Sequence, residues 1–301
     1  MSRMEKIRPN LFIVGAPKCG TTSLASWLDF HLNIFMCKPK EPYYFSKDIK
    51  SNRAAASFDE YLELFNDVSS EHVAIGEAST TYLRSSVAVR SIESRCDKPK
   101  YIVCLRNPID MAQSVYGQLL KSGRENAPSF ERAWRLQEER LAGKSLPAGT
   151  GDPSDLQYGQ MCLIGKQLEN MLQHVEADRV LDLFLEDMKN DPEAEYLRVL
   201  GFLGVADIGW RNFTVENSRG VPRNIMLVRS LRFLSGLKTQ LGLKAGSGIG
   251  AKLLRGLVRK PRAGEKELDY QTRVLLSRYF EDDIKMLSSL TGKNLDHWLV
   301  H

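Results

Sequence analysis

The most informative segment of the chain is Leu11-Phe-Ile-Val-Gly-Ala-Pro-Lys-Cys-Gly-Thr-Thr-Ser-Leu24. Its first residues, Leu11 to Val14, are apolar and predict a buried strand. A loop containing glycine and proline follows, and a helix is predicted to begin at Thr21 or Thr22. In such a strand–loop–helix unit, backbone N–H groups converge on one point, where the helix dipole adds positive potential. The segment therefore predicts a phosphate-binding loop.

The spacing of this loop is similar to the nucleoside-triphosphate P-loop, G-x-x-x-x-G-K-[ST], through Gly15, Gly20 and Thr22. The residue after the second glycine is Thr21, however, and the lysine lies inside the loop, at Lys18. An ATPase needs its lysine over the β- and γ-phosphates and its hydroxyl on Mg²⁺. A lysine inside the loop suits a shorter, metal-free donor whose leaving group is a phosphate. The pattern favours a phosphate cradle over an ATPase.

Two segments carry a family resemblance. Pro17-Lys-Cys-Gly-Thr-Thr22 resembles the 5′-phosphosulfate loop of sulfotransferases that use 3′-phosphoadenosine 5′-phosphosulfate (PAPS). Tyr101-Ile-Val-Cys-Leu-Arg-Asn-Pro-Ile-Asp-Met-Ala-Gln-Ser-Val-Tyr116 is similar to the family's 3′-phosphate segment, in which an arginine ends a strand and a serine follows on the next helix. Those positions are Arg106 and Ser114, which offer a phosphate a planar charged fork and a hydroxyl donor.

Two later segments extend the resemblance over residues 9–225, in the family's order. Residues 179–192 look like the late core strand, acidic turn and following helix, with Glu186 and Asp187 as strand-end and cap residues rather than catalysts. Residues 217–224 resemble the late donor-binding loop, whose basic side chains close over the nucleotide phosphates.

The resemblance implies one sulfotransferase domain over residues 1–301, with a 5′-phosphosulfate loop at 15–23, a 3′-phosphate segment at 101–116 and a basic lid region at 217–264. It implies sulfuryl transfer from PAPS to a hydroxyl, less readily to an amine, by in-line displacement without metal, with PAP as the product. The donor-binding residues it implies are Lys18, Cys19, Gly20, Thr21, Thr22, Ser23, Arg106, Ser114, Arg219, Gly220 and Arg223.

The chemistry of sulfuryl transfer needs a base for the acceptor proton, an in-line acceptor and positive charge at the leaving phosphate. Lys18 is the candidate for that charge. The candidate base is Glu41, because Lys38-Pro-Lys-Glu-Pro-Tyr-Tyr-Phe-Ser46 is similar to a Lys-Glu-Pro-x-x-Phe segment of the family's glycan and bacterial branches. Two alternatives stay open: Glu41 as an ion-pair partner of Lys38 or Lys40, and Glu77 as the base or as a residue that orients Lys18.

The chain departs from the family pattern at two positions near the acceptor. Relatives often have histidine where this chain has Tyr43, and some glycan-specific members have lysine at the position of Ala78. We therefore expect a conserved type of donor site with different acceptor contacts. Ser79 and Tyr82 are expected to line the acceptor pocket.

Apolar strand candidates alternate with helical stretches, which indicates an α/β fold: a single-domain, P-loop-like parallel β-sheet flanked by helices on both faces. Ligands in such folds bind at the carboxyl ends of strands, where Lys18, Glu77 and Arg106 are expected. The predicted strands are Leu11–Val14, Val73–Ile75, Tyr101–Leu105 and Val180–Leu185, and the predicted helices are Thr22–Phe30, Phe58–Phe65, Val87–Cys96, Met111–Leu120, Phe130–Leu141 and Tyr158–His174.

Bulk composition is consistent with an enzyme for anionic ligands. The 301 residues, 43% of them hydrophobic, suffice for a full core, and a net charge of +5 is far from what nucleic-acid binding demands. Five cysteines predict reduced thiols rather than a disulfide framework. Eukaryotic carbohydrate sulfotransferases of the resembled family usually carry a membrane anchor before the catalytic domain. The polar first ten residues and the lack of any membrane-spanning apolar run therefore favour a cytoplasmic enzyme of bacterial type, with a removed anchor as the alternative.

The acceptor is only broadly constrained. Aromatic residues 43–45 and a basic, apolar segment at 225–260 favour an amphiphilic acceptor, such as a natural product or a lipid-linked molecule, over a plain glycan, and that segment also suits peripheral membrane contact. A P-loop nucleotide kinase or NTPase and a non-catalytic PAP-binding module are the alternative functions. The kinase lacks a clear Mg²⁺-binding aspartate, because Asp182 lies inside its predicted strand and Asp187 falls in a predicted turn.

Overall fold

The computed structural model describes residues 7–147, 150–214, 221–222, 258–259 and 268–299. Its centre is a parallel sheet of five strands in the order β2-β3-β1-β4-β5. These strands are β1 (Leu11–Gly15), β2 (Ile34–Met36), β3 (Ala74–Ala78), β4 (Lys100–Leu105) and β5 (Val180–Phe184). Two short antiparallel strands, β6 (Val221–Pro222) and β7 (Val258–Arg259), form a separate pair. The predicted α/β class with a parallel sheet is confirmed.

Helices connect these strands. In chain order they are α1 (Thr21–Asp29), α2 (Phe58–Glu63), α3 (Ala88–Glu93), α4 (Pro108–Lys121), α5 (Phe130–Arg135), α6 (Gln137–Leu141), α7 (Tyr158–Met161), α8 (Ile164–Leu172), α9 (Leu185–Asn190), α10 (Pro192–Leu203) and α11 (Tyr270–Thr291). Short 3₁₀ turns lie at Pro153–Leu156, Ala177–Arg179 and Asp296–Trp298. None of the helices in these described ranges has the length and apolar character needed to cross a bilayer.

The central strand β1 shows why the chain forms this sheet. All five of its residues are buried, and its neighbours β3 and β4 are parallel to it on either side. A strand covered on both faces by helices needs a continuous apolar run rather than an alternating one, which is what Leu11–Val14 supplies. The carboxyl ends of β3, β1 and β4 therefore lie side by side at one edge of the sheet.

The element predictions differ from the structure at several places, and the long helix α11 was not predicted. β2 was not predicted, because three residues are too few to show a strand pattern. The predicted helix Tyr158–His174 is two helices, α7 and α8, and the predicted helix Phe130–Leu141 is likewise divided into α5 and α6. The α7/α8 break has a tertiary cause: the Asp283 carboxylate accepts hydrogen bonds from the backbone N–H groups of Gly165 and Lys166, at 2.9 and 2.8 Å, and so caps α8.

Residue contacts divide the chain into two compact units. The first comprises residues 1–107, 163–217 and 282–298 and contains the whole five-stranded sheet. The single sulfotransferase domain over residues 1–301 stays a prediction. All five cysteines are free and buried, as expected of reduced thiols.

The second unit comprises residues 108–162, 218–281 and 299–301. It contains a fully buried ion pair in which Arg140 donates two hydrogen bonds to the Glu125 carboxylate, at 2.7 and 2.6 Å, and the Tyr158 hydroxyl donates a third at 2.6 Å. Burial opposes ionisation of Glu125, but these hydrogen bonds outweigh it and hold its pKa below the usual value. Breaking the pair from one side would leave a buried charge without its partner.

Candidate active site

The predicted phosphate loop lies between β1 and α1, at the carboxyl edge of the sheet. The Ala16 N–H donates to the Cys104 carbonyl of β4 at 2.7 Å, which ties the loop to the neighbouring strand. Lys18 is half-buried and has a left-handed backbone, with φ of 67°. Gly20 is the N-cap of α1, also left-handed, with φ of 93°. The loop thus folds back tightly enough to begin the helix within five residues of the strand.

The N-terminus of α1 is built to face an anion. The first intrahelical bond runs from the Leu24 N–H to the Gly20 carbonyl at 3.1 Å, so the N–H groups of Thr21, Thr22 and Ser23 precede the helical ladder. The N-cap is a glycine, and no side chain caps this helix. N–H groups that precede the helical ladder, together with the positive end of the helix dipole, are the features that suit a phosphate at a helix start.

Arg106 adds a fixed positive charge beside this loop. Its side chain is 7% exposed, and its Nη1 donates to the Lys18 carbonyl at 3.2 Å. The guanidinium therefore both positions the loop and brings its charge to it. Cys19, between Lys18 and Gly20, is fully buried, and burial raises the pKa of its thiol to about 12 despite the nearby Arg106 and Lys18 charges. Cys19 therefore contributes its backbone to the loop rather than a thiolate.

At two glycines of the loop, a side chain would come too close to neighbouring atoms. A Cβ at Gly20 would lie 3.0 Å from Leu185 Cδ1, and one at Gly15 would lie 3.0 Å from Leu83 Cβ and 3.2 Å from the Thr80 carbonyl. Both glycines also have φ in the left-handed range. Together with Lys18, the helix N–H groups and Arg106, this cradle fits a phosphate-bearing donor.

Glu41 lies in the segment that follows β2, in a left-handed conformation with φ of 65°. Its carboxylate accepts hydrogen bonds from Lys40 Nζ at 2.8 Å, from the Tyr43 hydroxyl, and from Thr80 Oγ1 at 3.4 Å. The ion pair with Lys40 is therefore present, whereas Lys38 pairs with Asp29 at 3.1 Å. Tyr43, where relatives often have histidine, contacts the candidate base directly.

Thr80 links Glu41 to the carboxyl edge of the sheet. It follows β3, and the preceding Ser79 donates its N–H to the Ile13 carbonyl of β1 at 3.0 Å. Because β1 leads into the phosphate loop, Glu41 and Lys18 are attached to adjacent strands at the same edge. The half-buried Glu41 carboxylate thus has a defined place relative to that edge.

Glu77 occupies a very different environment from Glu41. Its side chain is 1% exposed, and it accepts hydrogen bonds from the hydroxyls of Tyr61 at 2.7 Å, Ser79 at 2.6 Å and Tyr82 at 2.9 Å. Burial raises its pKa to about 7, against the lowering effect of these three hydroxyls. A carboxyl so enclosed does not face an acceptor, which favours Glu41 over Glu77 as the base. Ser79 and Tyr82, expected to line the acceptor pocket, are buried and contact Glu77 instead.

A cavity of about 210 Å³ lies between α1 and the segment before Glu41. Thr22 of the first helical turn, Lys38, Lys40 and Ala78 contribute to its lining. Ala78 is the position where some glycan-specific members of the resembled family have lysine, so this chain leaves open a space that a lysine there would enter. The cavity thus borders the first turn of α1 on one side and Lys40, the ion-pair partner of Glu41, on the other.

The remaining predicted site residues are placed as follows. Ser114 is half-buried on α4, in the second unit, and its phosphate-binding role stays a prediction. Arg219, Gly220 and Arg223, together with almost all of the basic lid region 217–264 and of segment 225–260, lie outside the described residues.

Glu186 and Asp187 are structural, as expected, but they do not lie in a turn: both are in the first turn of α9. Glu186 accepts from Trp298 Nε1 at 3.0 Å, and Asp187 pairs with Lys293. The sequence offered Lys40 as an ion-pair partner of Glu41, but it missed the contacts of Tyr43 and Thr80 with that carboxylate. Of these two, only Tyr43 was detectable, as a polar neighbour in the same short segment.

Comparison with known proteins was made for sequence and for structure. The family model described as "Sulfotransferase domain" matches residues 8–231. Heparan sulfate glucosamine 3-O-sulfotransferase 3B1 from Mus musculus is 29% identical over 221 residues, which cover 72% of this chain and 52% of that protein. The bifunctional heparan sulfate N-deacetylase/N-sulfotransferase 1 from Xenopus tropicalis is 26% identical over 207 residues, covering 66% and 22%. The chain thus spans about half the length of the first of these relatives and less than a quarter of the length of the second.

Solved structures share the fold. A sulfotransferase from Alicyclobacillus acidocaldarius superposes with a TM-score of 0.69 at 24% identity, covering 97% of this chain and 99% of that one. The mouse sulfotransferase SULT7A1 complexed with PAP gives a TM-score of 0.51 at 15% identity, covering 96% and 90%. Within the described ranges, no group of three or more His, Cys, Asp or Glu side chains is placed to hold a metal ion.

Proposed function

Because this chain belongs to the sulfotransferase domain family, we propose that it transfers a sulfuryl group from PAPS to a hydroxyl of an acceptor by metal-free, in-line displacement. One observation carries the proposal. A phosphate cradle, made by Lys18, the α1 N-terminus and Arg106, and a half-buried carboxylate, Glu41, are attached to adjacent parallel strands at one edge of the sheet. Charge for a leaving phosphate and a base for an acceptor proton are the two functions that this transfer requires.

The donor-side residues would hold the phosphates and meet the charge that develops on departure. PAPS, when bound, supplies the sulfuryl group and leaves as PAP. The Lys18 ammonium and the N–H groups of Thr21 and Thr22 stabilise negative charge at the cradle, and preorganised donors of this kind need no reorientation during the reaction. Arg106 binds a phosphate through its fork while its Nη1 keeps the loop in place.

The acceptor-side residues would move one proton. As the acceptor oxygen forms its bond to sulfur and the bond from sulfur to the phosphate oxygen breaks, the Glu41 carboxylate takes the hydroxyl proton. Lys40, Tyr43 and Thr80 hold that carboxylate in place. A base held by three partners keeps one orientation, which is the condition for efficient proton transfer in a bound complex.

For the acceptor we propose a glycan hydroxyl. The support is that two similar proteins are named as heparan sulfate sulfotransferases. Ala78 and Tyr43 distinguish this chain from the glycan-specific pattern, so a hydroxyl on a natural product or a lipid-linked molecule is the competing acceptor. Amines rank below hydroxyls. The expected cytoplasmic location stays a prediction.

The test is calorimetric titration of the whole purified chain with PAP, and separately with ATP with and without Mg²⁺. We expect PAP to bind without metal, and Lys18→Ala to weaken that binding. The matched control is Lys98→Ala, since Lys98 is also a lysine with a left-handed backbone, φ 41°, but is exposed and follows α3. Preference for Mg·ATP with no response to PAP would overturn the proposal in favour of a kinase.

Transfer itself is then measured with radiolabelled PAPS and an acceptor panel of glycan oligosaccharides, lipid-linked hydroxyls and small alcohols. Product formation that is lost in Glu41→Gln, with PAP affinity unchanged, supports the assignment of the base. A chain that binds PAP but sulfates no acceptor in the panel would favour the non-catalytic PAP-binding module.

A further inference from the structure

Two buried hydroxyls hold the backbone of the segment that carries Glu41. The Tyr43 N–H donates to Ser79 Oγ at 3.1 Å, and the Phe45 N–H donates to the Tyr82 hydroxyl at 3.2 Å. Neither contact is made within the segment itself: the partners are 36 and 37 residues away in sequence. The segment that follows β2 is therefore attached at Tyr43 and at Phe45 to residues that follow β3.

The direction of these hydrogen bonds depends on Glu77. A hydroxyl has one hydrogen to donate. Ser79 and Tyr82 both donate theirs to the Glu77 carboxylate, at 2.6 and 2.9 Å, which leaves their lone pairs to accept the two backbone N–H groups. Two series of hydrogen bonds, each running from a backbone N–H through a hydroxyl to a carboxylate, thus end on the buried Glu77. In this arrangement the Glu77 carboxylate accepts from both hydroxyls, so it sets the direction of both series of hydrogen bonds at once.

We propose that Glu77 is a positioning residue that orients the Tyr43–Phe45 backbone and, through it, the candidate base Glu41. Its catalytic consequence rests on the proposed function, but its structural consequence does not. Glu77 touches neither the acceptor nor the donor in this proposal. It acts through Ser79 and Tyr82.

The backbone of this segment needs such support. Glu41 and Tyr43 are both non-glycine residues with left-handed φ, of 65° and 54°. Conformations of this kind persist only where surrounding contacts over-determine them. Ser79 is itself fixed to β1 through its N–H to the Ile13 carbonyl, so the support reaches the most buried strand of the sheet. Glu77 therefore connects the segment that carries the base to the rigid core.

Tyr61 provides a matched control within the same cluster. Its hydroxyl donates to Glu77 at 2.7 Å, and its side chain is as fully buried as that of Tyr82. Among the hydrogen bonds of the described residues, however, the Tyr61 hydroxyl accepts none from the 41–46 backbone, whereas the Tyr82 hydroxyl accepts the Phe45 N–H. Tyr61→Phe and Tyr82→Phe each remove one hydroxyl that donates to Glu77. Only Tyr82→Phe also removes the acceptor of the Phe45 N–H.

The experiment compares these two variants with Ser79→Ala and Glu77→Gln by amide hydrogen exchange and by steady-state kinetics. We expect protection of residues 41–46 to fall about three- to tenfold in Tyr82→Phe and Ser79→Ala, the size of one lost hydrogen bond. We expect Tyr61→Phe to leave it unchanged. In the transfer assay, kcat should fall about 10- to 100-fold in Tyr82→Phe and Ser79→Ala, as for a slightly misplaced catalytic group. PAP affinity should stay constant throughout.

Equal loss of protection in Tyr61→Phe and Tyr82→Phe would overturn the proposal, because it would indicate general destabilisation of the cluster. Unchanged protection in Tyr82→Phe would overturn it as well. Hydrogen exchange needs no activity, so a chain without transferase activity defeats the proposed function while this structural result is still obtained. Should Glu77→Gln fail to fold, the two tyrosine variants decide the outcome alone.

Discussion

The donor loop and the segment that carries Glu41 lie at the same edge of the sheet but are held in different ways. The donor loop is held by one bond between backbone groups, from the Ala16 N–H to the Cys104 carbonyl, and by one side chain, Arg106, which donates to the Lys18 carbonyl. The Glu41 segment is held by two side chains from the residues that follow β3, Ser79 and Tyr82. A bond between backbone groups survives most side-chain changes, whereas these contacts of the Glu41 segment depend on the side chains of two distant residues.

The two regions share one feature, which is backbone strain at the residues proposed to act. Lys18 and Glu41 are both non-glycine residues with left-handed φ, of 67° and 65°. Strain of this kind clusters at functional positions because the surroundings must be rigid enough to impose it. Donor charge and acceptor base are therefore both placed by their surroundings rather than by local preference.

The largest expected effect is on the acceptor side alone. Glu41→Gln should lower kcat by about 10²- to 10⁴-fold, the usual contribution of a general base, because the amide cannot take a proton. PAP affinity, measured by calorimetry, should stay within error of the wild type. Glu71→Gln, at an exposed glutamate elsewhere in the first unit, is the control and should match the wild type in both measurements. A Glu41→Gln variant that keeps its kcat would remove Glu41 from the mechanism.

The corresponding effect on the donor side comes from Arg106. Arg106→Ala should weaken PAP binding by about 10- to 100-fold, since hydrogen bonds to charged groups contribute about 1.5–3 kcal/mol. Arg106→Lys should recover only part of that affinity, because a lysine cannot present the planar fork. Equal PAP affinity in all three proteins would show that the buried guanidinium merely supports the loop.

A smaller effect tests the backbone of the donor loop. Gly20→Ala should lower the free energy of unfolding by about 1–3 kcal/mol, because alanine is strained at a φ of 93° and its Cβ would meet Leu185 at 3.0 Å. Gly201→Ala is the control with the opposite sign. Gly201 lies in α10 with open space around it, so alanine there should stabilise the protein by about 0.5–1 kcal/mol. Thermal unfolding measures both, and equal shifts would contradict the account of the loop.

The last effect is a pH dependence of stability that arises from the buried Glu77. The pKa of Glu77 is about 7 in the folded protein, above its usual value of 4.5, so the folded state holds a proton there that the unfolded state has released. The stability from this group is complete below about pH 4.5 and is lost as the pH rises through about 7. We expect the Tm of the wild type, relative to Glu77→Gln, to fall between pH 5 and about 7.5.

The ionisable groups around Glu77 support the assignment of this pH-dependent change in stability to Glu77 itself. Burial raises the pKa values of Tyr61 and Tyr82 well above their usual range, and it also raises those of the nearby Cys37 and Cys96 thiols. These four groups stay neutral across the window. A wild-type minus Glu77→Gln difference that does not change with pH would contradict the elevated pKa of Glu77.

Prediction from sequence succeeded where local signals were sufficient. The strands β1, β4 and β5 are long apolar runs, and their positions were predicted to within a residue at each end. The same approach missed β2, which has three residues, and the break between α7 and α8, which depends on Asp283 more than a hundred residues later. Local patterns contain no information about a cap that arrives from another part of the chain.

The same division holds within the candidate site. The donor cradle, with Lys18, Gly20 and Arg106, was predicted from short motifs, because a tight turn and a helix N-terminus are consequences of local sequence. Glu41 was predicted from a resemblance, but its partner Thr80 and the buried cluster around Glu77 were not. Ser79 and Tyr82 were expected in the acceptor pocket, and only burial in the folded protein assigns them to Glu77.

The sequence by itself determined the alternation of strands and helices that defines the fold class, the glycine loop and the charges available for a phosphate. Residues close in the chain produce all of these, through turn geometry, helix dipoles and apolar runs. Tertiary structure alone decided which hydroxyls face Glu77, which backbone N–H groups they accept and where Glu41 is held. The bonds of the Tyr43 and Phe45 N–H groups join residues 36 and 37 positions apart, and they form only when the segment that follows β2 packs against the residues that follow β3.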